Sequence, residues 1–124
     1  MIYDGQEVGC PIRLNFFNNS TIIDWTLNPD MLTTYKKIIG FRNGSETIRQ
    51  GALTSYSSND ACVFTKSYNG DTVLVMVNLR NTVTNYTTPA AFLNTQWKNV
   101  FDGSSFTTGA QVTLQPYEYK ILEE

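Results

Sequence analysis

Histidine is absent from this sequence of 124 residues, and cysteine occurs only twice. A tetrahedral zinc site takes four nitrogen or sulfur ligands, so this scarcity argues against structural zinc, and we expect neither a metal nor a cofactor. Histidine is also a common base beside a nucleophile. Cys62, the best candidate nucleophile, stands in an apolar run with no base near it in the sequence. These absences disfavour a small independent enzyme.

The chain also lacks an excess of charge and a long hydrophobic run. Nine basic and eleven acidic side chains give a formal net charge of -2, and the basic residues are scattered. This pattern argues against nucleic acid as a partner. No apolar segment approaches the roughly 20 residues that cross a bilayer, so we expect no membrane partner. Cys10 and Cys62 lie far apart in the sequence, and we expect two free thiols.

The longest apolar run lies in residues 71–79, DTVLVMVNL, where five large apolar side chains follow one another. Successive strand residues point to opposite faces, so both faces would be apolar. Its three valines favour a strand over a helix, because branched side chains fit a pleated surface. Asn69-Gly70 tolerates the positive φ angles of a type I′ turn. The sequence therefore predicts a central strand that is paired through a hairpin with residues 62–68.

From Gly51 onward, short apolar runs alternate with turn residues at a spacing of about 8 to 12 residues. This spacing predicts an antiparallel Greek-key β-sandwich of about seven to eight strands. The predicted strands are residues 52–56, 61–68, 71–79, 83–87, 96–101, 111–114 and 117–122.

One amphipathic helix is predicted before the strands. Asn28 suits its N-cap and Pro29 its first position, and Asn43-Gly44 ends it after about 13 to 15 residues. A single such helix followed by strands needs a partner outside itself. We expect the helix to pack back onto the sandwich, or the chain to self-associate. The candidate surfaces are the helix face of Met31, Tyr35, Ile38 and Ile39, and the Leu74 and Met76 side of the central strand.

Five segments, in order, resemble the C-terminal end of α-amylase-family (family 13) glycoside hydrolases. Residues 2–9, IYDGQEVG, resemble the IYxGQExG segment on and after the eighth strand of the catalytic (β/α)8 barrel, and residues 23–25, IDW, resemble a motif in the following loop. Residues 35–51 look like the last barrel helix and its exit. Residues 73–78 resemble the VLVVLN strand, and residues 114–122 the closing LxPYxYxIL strand, of the C-terminal β-sandwich.

The resemblance implies a piece cut from a larger enzyme that acts on α-glucans such as starch and maltooligosaccharides. Residues 1–43 would be the last strand, loop and helix of the barrel, and residues 44–124 the C-terminal β-sandwich that packs on it. The family's catalytic Asp, Glu and second Asp lie on earlier barrel strands, and no residue here matches them. A retaining site needs two carboxyls about 5 to 5.5 Å apart. The sequence leaves the compartment open; enzymes of the family that it resembles commonly work outside the cytoplasm, either secreted, periplasmic or on the cell surface.

Two sets of side chains keep alternative interpretations open. Asp4 and Glu7 are either a residual acid pair or part of a loop that supports the barrel mouth. Aromatic side chains either fill a core or stack on sugar rings, which would make the sandwich a carbohydrate-binding (starch-binding) module, our alternative function. The aromatic residues considered are Trp25, Trp97, Tyr117 and Tyr119, and we single out Trp97 and Tyr117 as candidates for sugar stacking.

Overall fold

A computed structural model of the chain describes residues 2–15, 17 and 22–124. The chain divides into two compact units, Met1–Phe41 and Arg42–Glu124. Residues 1, 16 and 18–21, which fall in the predicted segment 1–43, lie outside the described part.

The first unit contains a 3-10 turn at Gln6–Val8 and most of helix α1, Pro29–Gly44. The predicted N-cap is confirmed, because the Asn28 side chain accepts a hydrogen bond of 2.9 Å from the Met31 N–H. The helix has 16 residues, slightly more than expected, and none of them is buried. The predicted apolar stripe of α1 is therefore partly exposed.

Ile2 and Tyr3 form no strand, in contrast to the expectation of a last barrel strand there. A strand is held by hydrogen bonds to a neighbouring strand. None of the eight strands in the described residues pairs with this segment.

The second unit contains eight strands, in agreement with the prediction of about seven to eight, although ranges were predicted for only seven of them. They are β1 Ala52–Ser55, β2 Ala61–Tyr68, β3 Asp71–Asn78, β4 Thr84–Thr87, β5 Gln96–Asn99, β6 Ser105–Thr107, β7 Gln111–Leu114 and β8 Tyr119–Glu123. A short helix, α2 (Glu46–Gln50), precedes β1, and a 3-10 turn at Ala90–Phe92 precedes β5. The prediction missed α2 and β6, because each is too short to show a regular pattern of apolar and polar residues.

All strand pairs are antiparallel, and they form two sheets. The large sheet has the order β1-β2-β3-β8-β5-β6, and the small sheet pairs β4 with β7. The chain thus leaves the large sheet after β3 and again after β6. The last strand, β8, lies between β3 and β5 in the middle of the large sheet, whereas β1 and β6 form its two edges.

The hairpin between β2 and β3 has the predicted turn. Asn69 and Gly70 both have positive φ angles, 53° and 95°. Two consecutive positive φ angles define the type I′ turn, whose twist matches that of the flanking strands. The register that follows places Val63 opposite Met76.

The hydrophobic core lies between the inner face of the large sheet and the small sheet. Leu74 and Met76 on β3 are fully buried against a cluster that includes Tyr86, Val112 and Leu114. The expectation that the Leu74 and Met76 side of the central strand lacks a partner was therefore wrong. The small sheet covers that side, and the opposite side of β3 is the one left partly open.

Asn78 ends β3 on the core side and links three parts of the sandwich. Its side-chain amide donates to the carbonyl oxygens of Thr82, Leu114 and Gln115, at 2.8, 3.3 and 2.9 Å. Its side-chain oxygen accepts from the Arg80 N–H, at 2.9 Å, and from the Thr84 hydroxyl, at 3.0 Å. A buried amide with five partners fixes the crossing from the large sheet to the small one.

The predicted strand 117–122 begins only at Tyr119, because a turn occupies the preceding residues. The Glu118 N–H donates to the Gln115 carbonyl, at 2.9 Å, and Tyr117 has a φ of 55°. The Glu118 carboxylate closes the turn by accepting from the Gln115 N–H, at 2.7 Å, and from Lys120 Nζ, at 2.6 Å.

Replacing Asn78 by alanine is expected to lower the free energy of unfolding by about 3 kcal/mol, because buried carbonyl groups lose their donor. Urea unfolding of the 124-residue chain followed by circular dichroism measures this. Asn85→Ala on β4 is the control, since Asn85 is exposed, and it should cost about 0.5 kcal/mol or less. Equal losses from the two substitutions would refute the role of Asn78.

Glu118 should make the chain more sensitive to acid. Partial burial opposes ionisation of Glu118, but the hydrogen bonds from Lys120 and Gln115 outweigh burial and lower its pKa from the usual 4.5. The stability that this carboxylate contributes is therefore present above about pH 4.5 and lost as the pH falls through its lowered folded-state pKa. Glu118→Gln should flatten the acid limb of the stability curve of the 124-residue chain, because it removes the carboxylate that titrates there. Parallel curves for Glu118→Gln and the parent chain would contradict this assignment.

Candidate functional site

The outer face of the large sheet, opposite the core, carries a group of apolar side chains that are only partly buried. The strand register brings them together: Phe64 lies opposite Val75, and Val77 opposite Tyr119. Leu53 on β1 is 61% exposed and Tyr119 on β8 is 38% exposed. We call this group the outer face, and its members are Leu53, Cys62, Phe64, Val75, Val77 and Tyr119.

Helix α2 covers part of strands β2 and β3. The Ser45 side chain caps the helix by accepting from the Ile48 N–H, at 3.2 Å. Lys66 on β2 donates from Nζ to the Ile48 carbonyl, at 2.6 Å. Gly51, which follows the helix, has no room for a side chain, because an added Cβ would lie 2.3 Å from the Thr47 carbonyl oxygen. The junction between α2 and β1 is thus rigidly fixed.

Charged and aromatic side chains border the outer face. Phe101 packs edge-on against Tyr119, with ring centroids 6.2 Å apart. Lys98 and Glu123 form an exposed ion pair at 3.8 Å, which contributes little stability by itself. An apolar centre inside a polar rim is the usual composition of a protein interface. The outer face is therefore the best candidate in the described residues for a contact surface.

Trp97, the first candidate for sugar stacking, lies in the core. It is 4% exposed, and its indole N–H donates to the Thr108 hydroxyl, at 3.3 Å. Thr108 is fully buried and also donates to the Phe92 carbonyl. A side chain this buried is surrounded by protein atoms. The geometry therefore favours a packing role for Trp97. Packing in the core is one of the two interpretations that the sequence left open for this ring, and the burial of Trp97 favours it.

Tyr117, the second candidate, is 66% exposed in the turn before β8. Its φ of 55° is one that residues with a side chain rarely adopt, and such a conformation costs on the order of 1 kcal/mol. The Tyr117 N–H donates a hydrogen bond to the Arg80 carbonyl, at 3.0 Å. The ring is available to a ligand, and stacking at Tyr117 stays a prediction. Trp25 is also exposed.

Asp4 and Glu7 flank the 3-10 turn of the first unit. Gly5 and Gly9 on either side have positive φ angles of 83° and 64°, and a Cβ on Gly5 would meet Cys10 Cβ at 2.8 Å. Asp4 is exposed, whereas Glu7 Oε2 is buried and has no hydrogen-bond partner among the described residues. The geometry is that of a tightly built turn with one carboxylate oxygen unsatisfied.

Cys10 and Cys62 are both free thiols. Throughout residues 2–15, 17 and 22–124, no three His, Cys, Asp or Glu side chains are grouped so that they could hold a metal ion. No helix in the same residues is long and apolar enough to span a membrane.

Comparison with known proteins gives one family match. The family described as Maltogenic Amylase, C-terminal domain, matches residues 53–121, which is more than half of the chain. Among curated proteins, no sequence matches this chain.

Solved structures with a similar fold include two sugar-related proteins. The trehalulose synthase MutB from Pseudomonas mesoacidophila MX-45 is 20% identical over 75% of this chain, with a TM-score of 0.62. AmyP in complex with maltose is 18% identical over 84% of the chain, with a TM-score of 0.68. The matched regions make up 17% of the MutB chain and 23% of the AmyP chain. Identities this low show a shared fold, and the chain spans about a fifth of the length of these proteins.

Proposed function

The chain belongs to the maltogenic amylase C-terminal domain family, and we propose that it serves as the non-catalytic C-terminal part of an amylase-type glycoside hydrolase. The parent enzyme would act on α-glucans such as starch and maltooligosaccharides. In this proposal the sandwich packs against the catalytic barrel and stabilises it.

We assign residues 1–43 to the end of the barrel and residues 44–124 to the C-terminal sandwich. Two observations on the first unit support this assignment. Met31, Ile38 and Ile39 on α1 are exposed apolar side chains, as expected of a helix whose packing partner is another part of the barrel. The buried, unpaired Glu7 Oε2 likewise requires a donor, which the remainder of a barrel would supply.

The outer face is the surface that we propose packs on the barrel. Its apolar centre and charged rim favour a protein partner over solvent. The matched proteins are several times longer than this chain. In a polypeptide of that length, the catalytic barrel would be covalently linked to the sandwich and would therefore be present at a high effective concentration. Packing of Leu53, Val75 and Val77 on the barrel would remove the remaining exposed apolar area of β1 and β3.

Catalysis, in this proposal, belongs to the barrel alone. A retaining glycosidase holds two carboxyls about 5 to 5.5 Å apart in a cleft built from several strands. The resemblance places the three catalytic carboxylates of the family on earlier barrel strands, and we propose that none of them lies in these 124 residues. The isolated chain should therefore release no sugar from starch.

Val77→Glu tests the outer face, because it places a charge in the proposed interface. In the full-length enzyme it should lower the melting temperature of the barrel by about 5 °C, since a buried unpaired charge costs several kcal/mol. In the isolated 124-residue chain, where Val77 is partly exposed, the melting temperature should change much less. Differential scanning calorimetry measures both.

Thr113→Glu is the matched control, because Thr113 is an exposed strand residue on the small sheet. This substitution should leave the melting temperature of the full-length enzyme unchanged. Sedimentation velocity of the isolated chain adds a second readout: any self-association through the outer face should be weakened by Val77→Glu and not by Thr113→Glu. Equal effects of the two substitutions on the full-length enzyme would refute the proposed contact.

A further inference from the structure

Two exposed apolar side chains lie side by side at the end of the large sheet where β3 finishes. Leu79 follows β3 and is 48% exposed, and Tyr117 lies in the turn before β8. Two backbone hydrogen bonds bracket Leu79. The Asn78 N–H donates to the Glu118 carbonyl, at 2.8 Å, and the Tyr117 N–H donates to the Arg80 carbonyl, at 3.0 Å. We call Leu79 and Tyr117 the Leu79–Tyr117 pair.

The Leu79–Tyr117 pair continues the outer face beyond the end of the sheet. Successive residues of a strand point to opposite faces, and Asn78 is buried on the core side. Leu79 therefore follows Val77 on the outer side. Val77 is opposite Tyr119 on β8, so the pair lies directly beyond two members of the outer face.

Tyr117 has a backbone conformation that suits a tyrosine poorly. In the part of the chain that the structure describes, the residues other than glycine with a positive φ are Asn69, Asn94 and Tyr117. Asparagine tolerates this conformation, whereas a bulky side chain adopts it rarely. Asparagine or glycine at position 117 would relieve the strain. A strained tyrosine therefore indicates that its ring serves a contact.

Hydrogen bonds hold this end of the sandwich in one conformation. The Leu79 N–H donates to the Asp60 carbonyl, at 2.8 Å. Arg80 Nε forms an ion pair with the Asp60 carboxylate, also at 2.8 Å, and the Arg80 guanidinium donates to the Asn59 carbonyl as well. A surface that is already ordered loses little conformational entropy when a partner binds. The Leu79–Tyr117 pair is therefore presented on a fixed support.

The composition of this end favours a protein partner. Tyrosine and arginine are enriched among the residues that dominate the binding energy of protein interfaces. Here an exposed tyrosine and an exposed leucine lie beside Arg80, whose charge is balanced by Asp60. Apolar side chains next to a neutralised polar rim are typical of such interfaces.

We propose that the Leu79–Tyr117 pair docks on the catalytic barrel, with the Tyr117 ring as an anchor of that contact. Because the barrel is the partner, this contact rests on the proposed function. The barrel is favoured as the occupant because the pair is continuous with the outer face. A body that covers Val77 and Tyr119 lies next to Leu79 and Tyr117, and the contact would compensate for the strain at Tyr117.

Hydroxyl-radical footprinting of the isolated 124-residue chain and of the full-length enzyme tests this contact without any substitution. Oxidation of Leu79 and Tyr117, followed by mass spectrometry of their peptides, should be on the order of threefold slower in the full-length enzyme, because packing excludes solvent. Leu93 is the matched control, since it is 41% exposed and lies before β5, away from this end. Leu93 should be oxidised at the same rate in both proteins.

Tyr117→Asn separates the contact from the stability of the fold. In the isolated chain it should keep the melting temperature or raise it by up to about 3 °C, because asparagine tolerates the positive φ. In the full-length enzyme it should lower the melting temperature by about 3 °C, because the anchor is lost. Tyr117→Phe keeps the ring and should match the parent in both proteins. Differential scanning calorimetry measures all of these.

Equal oxidation rates of Tyr117 in the two proteins, or a melting temperature that Tyr117→Asn raises in both, would overturn the proposal. Protection of Tyr117 in the isolated chain that disappears on dilution would identify a second copy as the occupant and would also overturn it. Protection only after addition of maltoheptaose would do the same in favour of a sugar.

The two contacts on the barrel can fail separately. If Val77→Glu destabilises the full-length enzyme but Tyr117 is not protected there, the outer face packs on the barrel and the Leu79–Tyr117 pair does not. If Tyr117 is protected in the full-length enzyme and Val77→Glu has no effect, the pair docks on the barrel and the proposed outer-face contact is refuted.

Discussion

Burial of one face of β3 is the constraint on which the second unit depends. Leu74 and Met76 are completely removed from solvent between the two sheets, and Asn78 at the end of the same face connects the large sheet to the small one. The opposite face of β3, with Val75 and Val77, is only partly covered. This asymmetry separates the surface that holds the sandwich together from the surface available to a partner.

The strands and the capped helix followed from local signals in the sequence. Valine-rich runs, Asn69-Gly70 and the Asn28-Pro29 start each act over a few residues, and the structure confirms the elements that they predict. The face of β3 that packs on the small sheet could not be predicted, because both faces are apolar and the choice depends on distant strands. The place of Tyr117 in a turn was also missed, since its positive φ contradicts the usual preference of tyrosine.

The outer face could not be predicted as a site from the sequence. Its residues are ordinary strand residues, among them valines, a leucine and a tyrosine. Only the register places Val77 opposite Tyr119 and Phe64 opposite Val75, so the outer face has no sequence motif. The family match and the shared fold indicate the kind of protein, and the strand register shows which surface is available to a partner.

Cys62 allows the central claim to be measured directly, because it lies on the outer face opposite Val77 and is a free thiol. The rate of Cys62 labelling by a maleimide can be followed by mass spectrometry of its peptide, in the isolated 124-residue chain and in the full-length enzyme. If the outer face packs on the barrel, labelling should be fast in the isolated chain and strongly suppressed in the full-length enzyme. Equal labelling rates in the two proteins would contradict the account.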